Sequence, residues 1–206
     1  MNYDLMMEEE MNNIPEGTEL LLHACCGPCS SACLERVANH FNVTIFFYNP
    51  NITDLNEYNK RFSELERLIT NFNFKYPIKV INGNYEPDKF FNISKGLEDE
   101  PERGKRCYKC YELRLRETAN IASKLGFKYF TTTLSLSPHK NALWINEIGE
   151  ELDKEYEANF LHCDFKKKNG YKRSIELSKQ YNLYRQDYCG CVYSKRDSIK
   201  RKESNN

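Results

Sequence analysis

The 206-residue chain is short of several features, and each absence narrows its class. No stretch approaches the roughly 20 apolar residues of a membrane span. The opening MNYDLMMEEEMNN has neither the basic n-region nor the apolar h-region of a signal peptide, so residues 1–17 read as a polar leader. Net charge is zero, with 30 basic and 30 acidic residues, and selects no partner. There is no internal repeat and no low-complexity segment. These absences predict a soluble, cytoplasmic protein with no membrane partner and room for one α/β domain. Nine cysteines are many for that compartment, and an odd number suits a disulfide framework poorly. They point to metal or redox chemistry.

Charge is unevenly spread. Arg103–Arg116 carries six basic residues and one acidic, and Asp164–Arg185 seven and two. Each is either a solvated helix face or a surface for a polyanion.

Strands are predicted at 19–23, 43–48, 78–81, 129–134 and 158–163, from short apolar, β-branched or aromatic runs. Helices are predicted from Ser30 or Ser31 to 40, from Thr53 or Asp54 to 72, over 107–125 with Gly126 as the stop, from 138 to 152, and over 174–181. Strands alternating with helices imply one domain, residues 18–194, with a mostly parallel Rossmann-like (HUP-like) sheet flanked by helices. In such a sheet a metal site belongs at the carboxyl ends of the strands. Residues 195–206 read as a disordered charged tail.

The cysteines fall into groups: Cys25-Cys26-Gly27-Pro28-Cys29, Cys107-x-x-Cys110, Cys163, and Cys189-Gly190-Cys191, with Cys33 apart. A CxxC at a helix start can aim two sulfurs at one point, with backbone N–H groups stabilising thiolate. Adjacent cysteines on extended backbone point apart, so Cys25 and Cys26 serve two metals unless a tight turn intervenes. The CxC is tighter than the spacing of ordinary structural zinc. Three readings compete. Cys26–Cys29 is a thioredoxin-like CGPC. Cys107, Cys110, Cys189 and Cys191 form a possible zinc set. An iron–sulfur site would draw on all three groups. The radical-SAM spacing CxxxCxxC is absent. Cys33 and Cys163 read as core residues. His23, His40, His139 and His162 read as structural, with His139 able to line the site.

Taken together, six stretches resemble the QueH-type epoxyqueuosine reductases: HACCGPC at 23–29, YNPNI at 48–52, RCYKCY at 106–111 with Arg114, TTLSLSPHKN at 132–141, DFKKKNG at 164–170 and YCGCVYS at 188–194. The resemblance implies the last step of queuosine synthesis, in which the epoxide of a wobble-position tRNA base loses its oxygen as water, taking up two electrons and two protons. It implies a 4Fe–4S cluster beside a separate mononuclear iron, held by Cys25, Cys26, Cys107, Cys110, Cys189 and Cys191, with Cys29 a further metal ligand. Which cysteine serves which metal stays open, and the electron donor is unidentified. Asp164, following the fifth strand, is the first candidate proton donor, with Tyr188, His139 or water as alternatives. Arg106, Lys109, Arg114 and Lys166–Lys168 are candidate phosphate contacts, and Tyr108, Tyr111 or Tyr188 candidate base-stacking platforms. The alternative is a thiol- or zinc-based RNA-binding protein without redox turnover.

Overall fold

A computed structural model describes residues 1–204. Five strands, β1 (Glu19–His23), β2 (Asn42–Phe47), β3 (Lys79–Asn82), β4 (Tyr129–Thr132) and β5 (Asn159–Phe160), form one sheet in the order β3-β2-β1-β4-β5. Every pairing is parallel. β1 and β2 are buried along nearly their whole length, which explains their near-continuous apolar runs: helices cover both faces of a parallel sheet. The order reverses between β1 and β4, where a doubly wound sheet opens a crevice beyond its strand ends.

The helices are α1 (Tyr3–Asn13), α2 (Gly27–Val37), α3 (Leu55–Thr70), α4 (Pro87–Ser94), α5 (Lys105–Leu125), α6 (Ala142–Glu155), α7 (Gly170–Gln180) and α8 (Val192–Glu203). α2 packs on α3 and α7, while α5 packs on α6 and across β1 and β4. Asp54 caps α3 by accepting from the N–H groups of Asn56 and Glu57. Gly126 ends α5 with a φ of 76°, a left-handed conformation natural to glycine. No helix among the described residues is long and apolar enough to cross a membrane.

Three stretches differ from the sequence expectation. The polar leader contains a helix: Tyr3, Asp4 and Met7 of α1 are buried, and Asp4 pairs with Arg36 at 2.6 Å. The expected tail, 195–206, is helical through Glu203, because Cys191 caps α8; Asn205 and Asn206 lie outside the described residues. The fifth strand is only two residues long. Beyond it the backbone N–H of His162 donates to Glu10 and that of Cys163 to Asn146, so side chains replace the ladder.

Candidate metal centre

The cysteine groups meet because three helices begin at one place. Cys26 is the N-cap of α2, and its sulfur accepts from the Cys29 N–H at 3.4 Å. Cys191 is the N-cap of α8, and its sulfur accepts from the Ser194 N–H at 3.3 Å. Cys107 lies in the first turn of α5 and accepts from the Arg103 N–H at 3.3 Å. Free N–H groups at a helix start favour negative sulfur, which here works against the burial that raises the Cys107 and Cys191 thiols. The caps expected at Ser30 or Ser31 are displaced by Cys26; both hydroxyls turn back to the carbonyls of Cys26 and Pro28.

The sulfurs of Cys25, Cys26 and Cys29 lie within 4.8 Å of one another, a triad that could hold a metal. His23 braces the turn from below. It is fully buried; its Nε2 faces the Tyr48 carbonyl at 3.0 Å and its Nδ1 the Thr132 hydroxyl at 2.8 Å. Burial, with the nearby Arg114 charge, lowers its pKa to about 3, so the ring is neutral and Nε2 carries the proton that Tyr48 accepts. Asn49 donates to the Ala24 carbonyl at 2.8 Å and ties the second-strand loop to the same turn.

Cys107, Cys110, Cys189 and Cys191 line a second, narrower cavity of about 20 Å³. Gly190 makes the tight CxC turn possible. Its φ is 122°, and a Cβ there would sit 2.8 Å from the Ile52 side chain. Arg61, fully buried on α3, pins this turn, donating to the Cys189 carbonyl at 3.0 Å and the Tyr188 carbonyl at 3.3 Å while pairing with Glu57 at 2.7 Å. Burial pushes the Cys110 thiol up to about 11 and the Cys191 thiol up to about 12. Within the triad, S–H donation from Cys26 and then Cys29 lowers the Cys25 pKa well below that of an ordinary thiol. A thiol-rich pair of sites with raised pKa values releases protons as a soft cation binds.

The two groups join. Cys189, His139 and Lys140 line both the narrow cavity and a wider one of about 330 Å³, into which Cys25 and Cys29 also face. Arg185, Arg201 and Tyr188 line the wider cavity, giving it a cationic and aromatic wall. Burial, then the Glu57 carboxylate, raises the Tyr188 pKa and keeps its hydroxyl protonated.

Of the other expected site residues, Arg106, Tyr111 and Arg114 line the narrow cavity, while Asp164, Lys166–Lys168, Tyr108 and Lys109 line neither. Asp164 is buried beside Lys166, 2.9 Å away, and lines neither cavity. Lys168 pairs with Glu8 of α1, leaving Lys167 as the member of the basic run with no ion pair among the described residues. Arg106 is buried and gives one nitrogen to the carbonyls of Leu97, Glu98 and Glu100, so it clamps a loop rather than meeting phosphate. Arg114 and Tyr111 are buried. Tyr108 packs edge-on against Trp144, while Lys109 is exposed. Cys33 and Cys163 are fully buried and line neither cavity. Lys140, Arg61, Arg185 and Arg201 were not expected at the site. Lys140 stood inside the quoted TTLSLSPHKN stretch, and the others carried no local signal.

Fold and site together define a thiol-lined α/β protein with a cysteine triad that could hold a metal at the edge of a ligand-sized cavity. Comparison narrows the class. Residues 20–197 match the family model described as epoxyqueuosine reductase QueH. The chain is 40% identical over 200 residues to an epoxyqueuosine reductase QueH of Streptococcus pyogenes serotype M1, covering 94% of this chain and 78% of that one. It is 41% identical over 201 residues to its counterpart in Staphylococcus epidermidis (94% and 84%), and 36% identical over 178 residues to that of Thermotoga maritima (85% and 89%). The chain belongs to the epoxyqueuosine reductase QueH family, a family of oxidoreductases.

Proposed function

We propose that this protein removes the epoxide oxygen of epoxyqueuosine in tRNA, the final step of queuosine synthesis, using a 4Fe–4S cluster and an adjacent mononuclear iron. The observation that carries the reading is that a cysteine triad and a cysteine quartet adjoin one cavity large enough for a nucleoside, with Cys25 and Cys29 lining it and Cys189 shared between it and the narrow cavity that holds the quartet. The donor chemistry fits: four soft thiols suit a cluster, and three suit a single iron with a position left open. Cys107, Cys110, Cys189 and Cys191 would hold the cluster, their side chains parting to admit it; Cys25, Cys26 and Cys29 would hold the iron. When bound, these groups supply electrons and a Lewis acid for the departing oxygen.

The chain's own residues do the rest. Arg185 and Arg201 line the cavity as phosphate partners, and Tyr171 offers a ring for base stacking. The Tyr188 hydroxyl, held protonated, and the His139 ring are the proton sources at the cavity wall; Asp164, the first sequence candidate, lines neither cavity. The charge and ring content of the cavity support a tRNA partner in the cytoplasm, reduced through an external electron donor.

Anaerobic purification tests this directly. About four cluster irons plus one more, acid-labile sulfide, and conversion of epoxyqueuosine to queuosine in tRNA by mass spectrometry are expected. Colourless protein holding only zinc and binding RNA without turnover would favour the non-redox alternative.

A further inference from the structure

Three arginines are buried around the cysteines. Arg61 has Glu57 and two carbonyls, and one nitrogen of Arg106 has three carbonyls. Arg114 has a single hydrogen-bond partner. It lies on α5 one turn beyond Cys110 and is only 1% exposed. Its Nε donates to the Cys110 carbonyl at 3.1 Å, its Nη2 has no partner, and no carboxylate among the described residues lies within ion-pair distance. A guanidinium keeps its charge at any physiological pH. A buried charge with no counter-charge is strongly unfavourable, so such a group implies an anion that completes it.

Lys140 repeats the pattern from the other side. It is half-buried beside Cys189, where the two cavities meet, and forms no ion pair among the described residues. The carboxylate that lines the narrow cavity, Glu102, sits 3.8 Å from Arg201 instead.

We infer that Arg114 and Lys140 are the counter-cations of the metal–thiolate centre, offsetting its negative charge and thereby raising its reduction potential. The inference rests on the cluster proposed above. Ligating cysteines bind as thiolates, so four of them around a doubly positive cluster core leave about two negative charges. Two cations without an ion pair among the described residues line the same narrow cavity as the four cysteines and match that charge. An added electron makes the centre more negative, so nearby positive charge favours the reduced form, and net local charge is a main determinant of cluster potential. Both are positioning residues, since neither needs to touch the nucleoside.

The test is a dye-mediated titration with dithionite of anaerobically reconstituted full-length protein, wild type beside Lys140→Met, Arg114→Met and Arg114→Lys. Each Met variant is expected to move the cluster midpoint negative by at least tenfold in the reduced-to-oxidised ratio, or 59 mV for one electron. Arg114→Lys keeps the charge and is expected to stay near wild type. Lys140→Met removes no hydrogen bond of the fold, so it decides the matter even if Arg114→Met loads poorly. A wild-type midpoint in Lys140→Met overturns the inference while leaving the cluster in place. Equal shifts in Arg114→Lys and Arg114→Met would trace the effect to shape and overturn the charge role of Arg114. A wild-type protein that takes up no cluster would instead remove the functional reading beneath it.

Discussion

Arg61 is the strongest mechanical link between the fold and the metal centre, and replacing it by alanine should be felt at both. The side chain is 1% exposed, and Glu57, its i−4 partner, is 12% exposed. Truncation removes a close ion pair and two charged hydrogen bonds to the carbonyls of Tyr188 and Cys189. It also removes the guanidinium from the face of the Tyr188 ring, 5.3 Å away. Breaking a buried pair by deleting one partner costs roughly 3–5 kcal/mol, because the remaining charge loses its compensation. Some of that is recovered, since the Tyr184 hydroxyl still donates to Glu57 at 3.1 Å. With roughly 2–4 °C per kcal/mol for a chain of this size, Arg61→Ala should lower the melting temperature by about 10 °C. The same change frees the Cys189 turn, so iron retained through gel filtration should fall more steeply than stability alone requires. Arg61→Lys keeps the charge but cannot reach Glu57 and two carbonyls with one compact ammonium, so it should fall between. Thermal unfolding by circular dichroism and iron analysis of the same samples read both effects. An Arg61→Ala protein with wild-type melting and wild-type iron would refute the claim that this residue holds the CxC turn.

Other outcomes follow from the same geometry. Alanine at Cys107, Cys110, Cys189 or Cys191 should abolish turnover and lower iron content, whereas Cys33→Ala should retain its iron, measured after anaerobic reconstitution. Asp164→Asn should turn over epoxyqueuosine-containing tRNA at the wild-type rate, because Asp164 faces Lys166 and not the cavity; a hundredfold loss would restore it as the acid. Hydrogen bonding to Glu10 raises the His162 pKa above its unfolded value, and the Glu150 charge adds to this against burial. Its contribution to holding α1 in place is therefore complete below about pH 6.5 and lost as pH rises through the folded pKa. The melting-temperature gap between wild type and His162→Gln should accordingly be wide near pH 6 and narrow near pH 9; a gap independent of pH would deny the ion pair its role.

The sheet was legible because its central strands, β1 and β2, are buried almost throughout. Runs such as ELLLH and VTIFFY leave few alternatives in a chain that alternates them with periodic helices. The termini were not legible, for a physical reason. α1 and α8 carry little apolar periodicity, and long-range partners hold α1 in place: Asp4 with Arg36, Glu8 with Lys168, Glu10 with His162. Their helicity depends on residues far away in sequence, and local propensity cannot report that.

The site divides along the same line. Cysteine spacing is local, so the groups around residues 25, 107 and 189 could be found by reading along the chain. Their division into a triad and a quartet could not, because it depends on which helix starts, far apart in sequence, come together in the fold. The cations that answer them are further from view still. A run of lysines such as 166–168 attracts notice as a charged patch, yet Lys166 and Lys168 are spent on Asp164 and Glu8. Lys140 stands as an isolated basic residue in sequence and Arg114 as one of several in the Arg103–Arg116 stretch, and neither forms an ion pair among the described residues. Charge that is plentiful in sequence is largely neutralised within the fold, and charge left without a partner inside the protein marks where the chain expects something it does not itself contain.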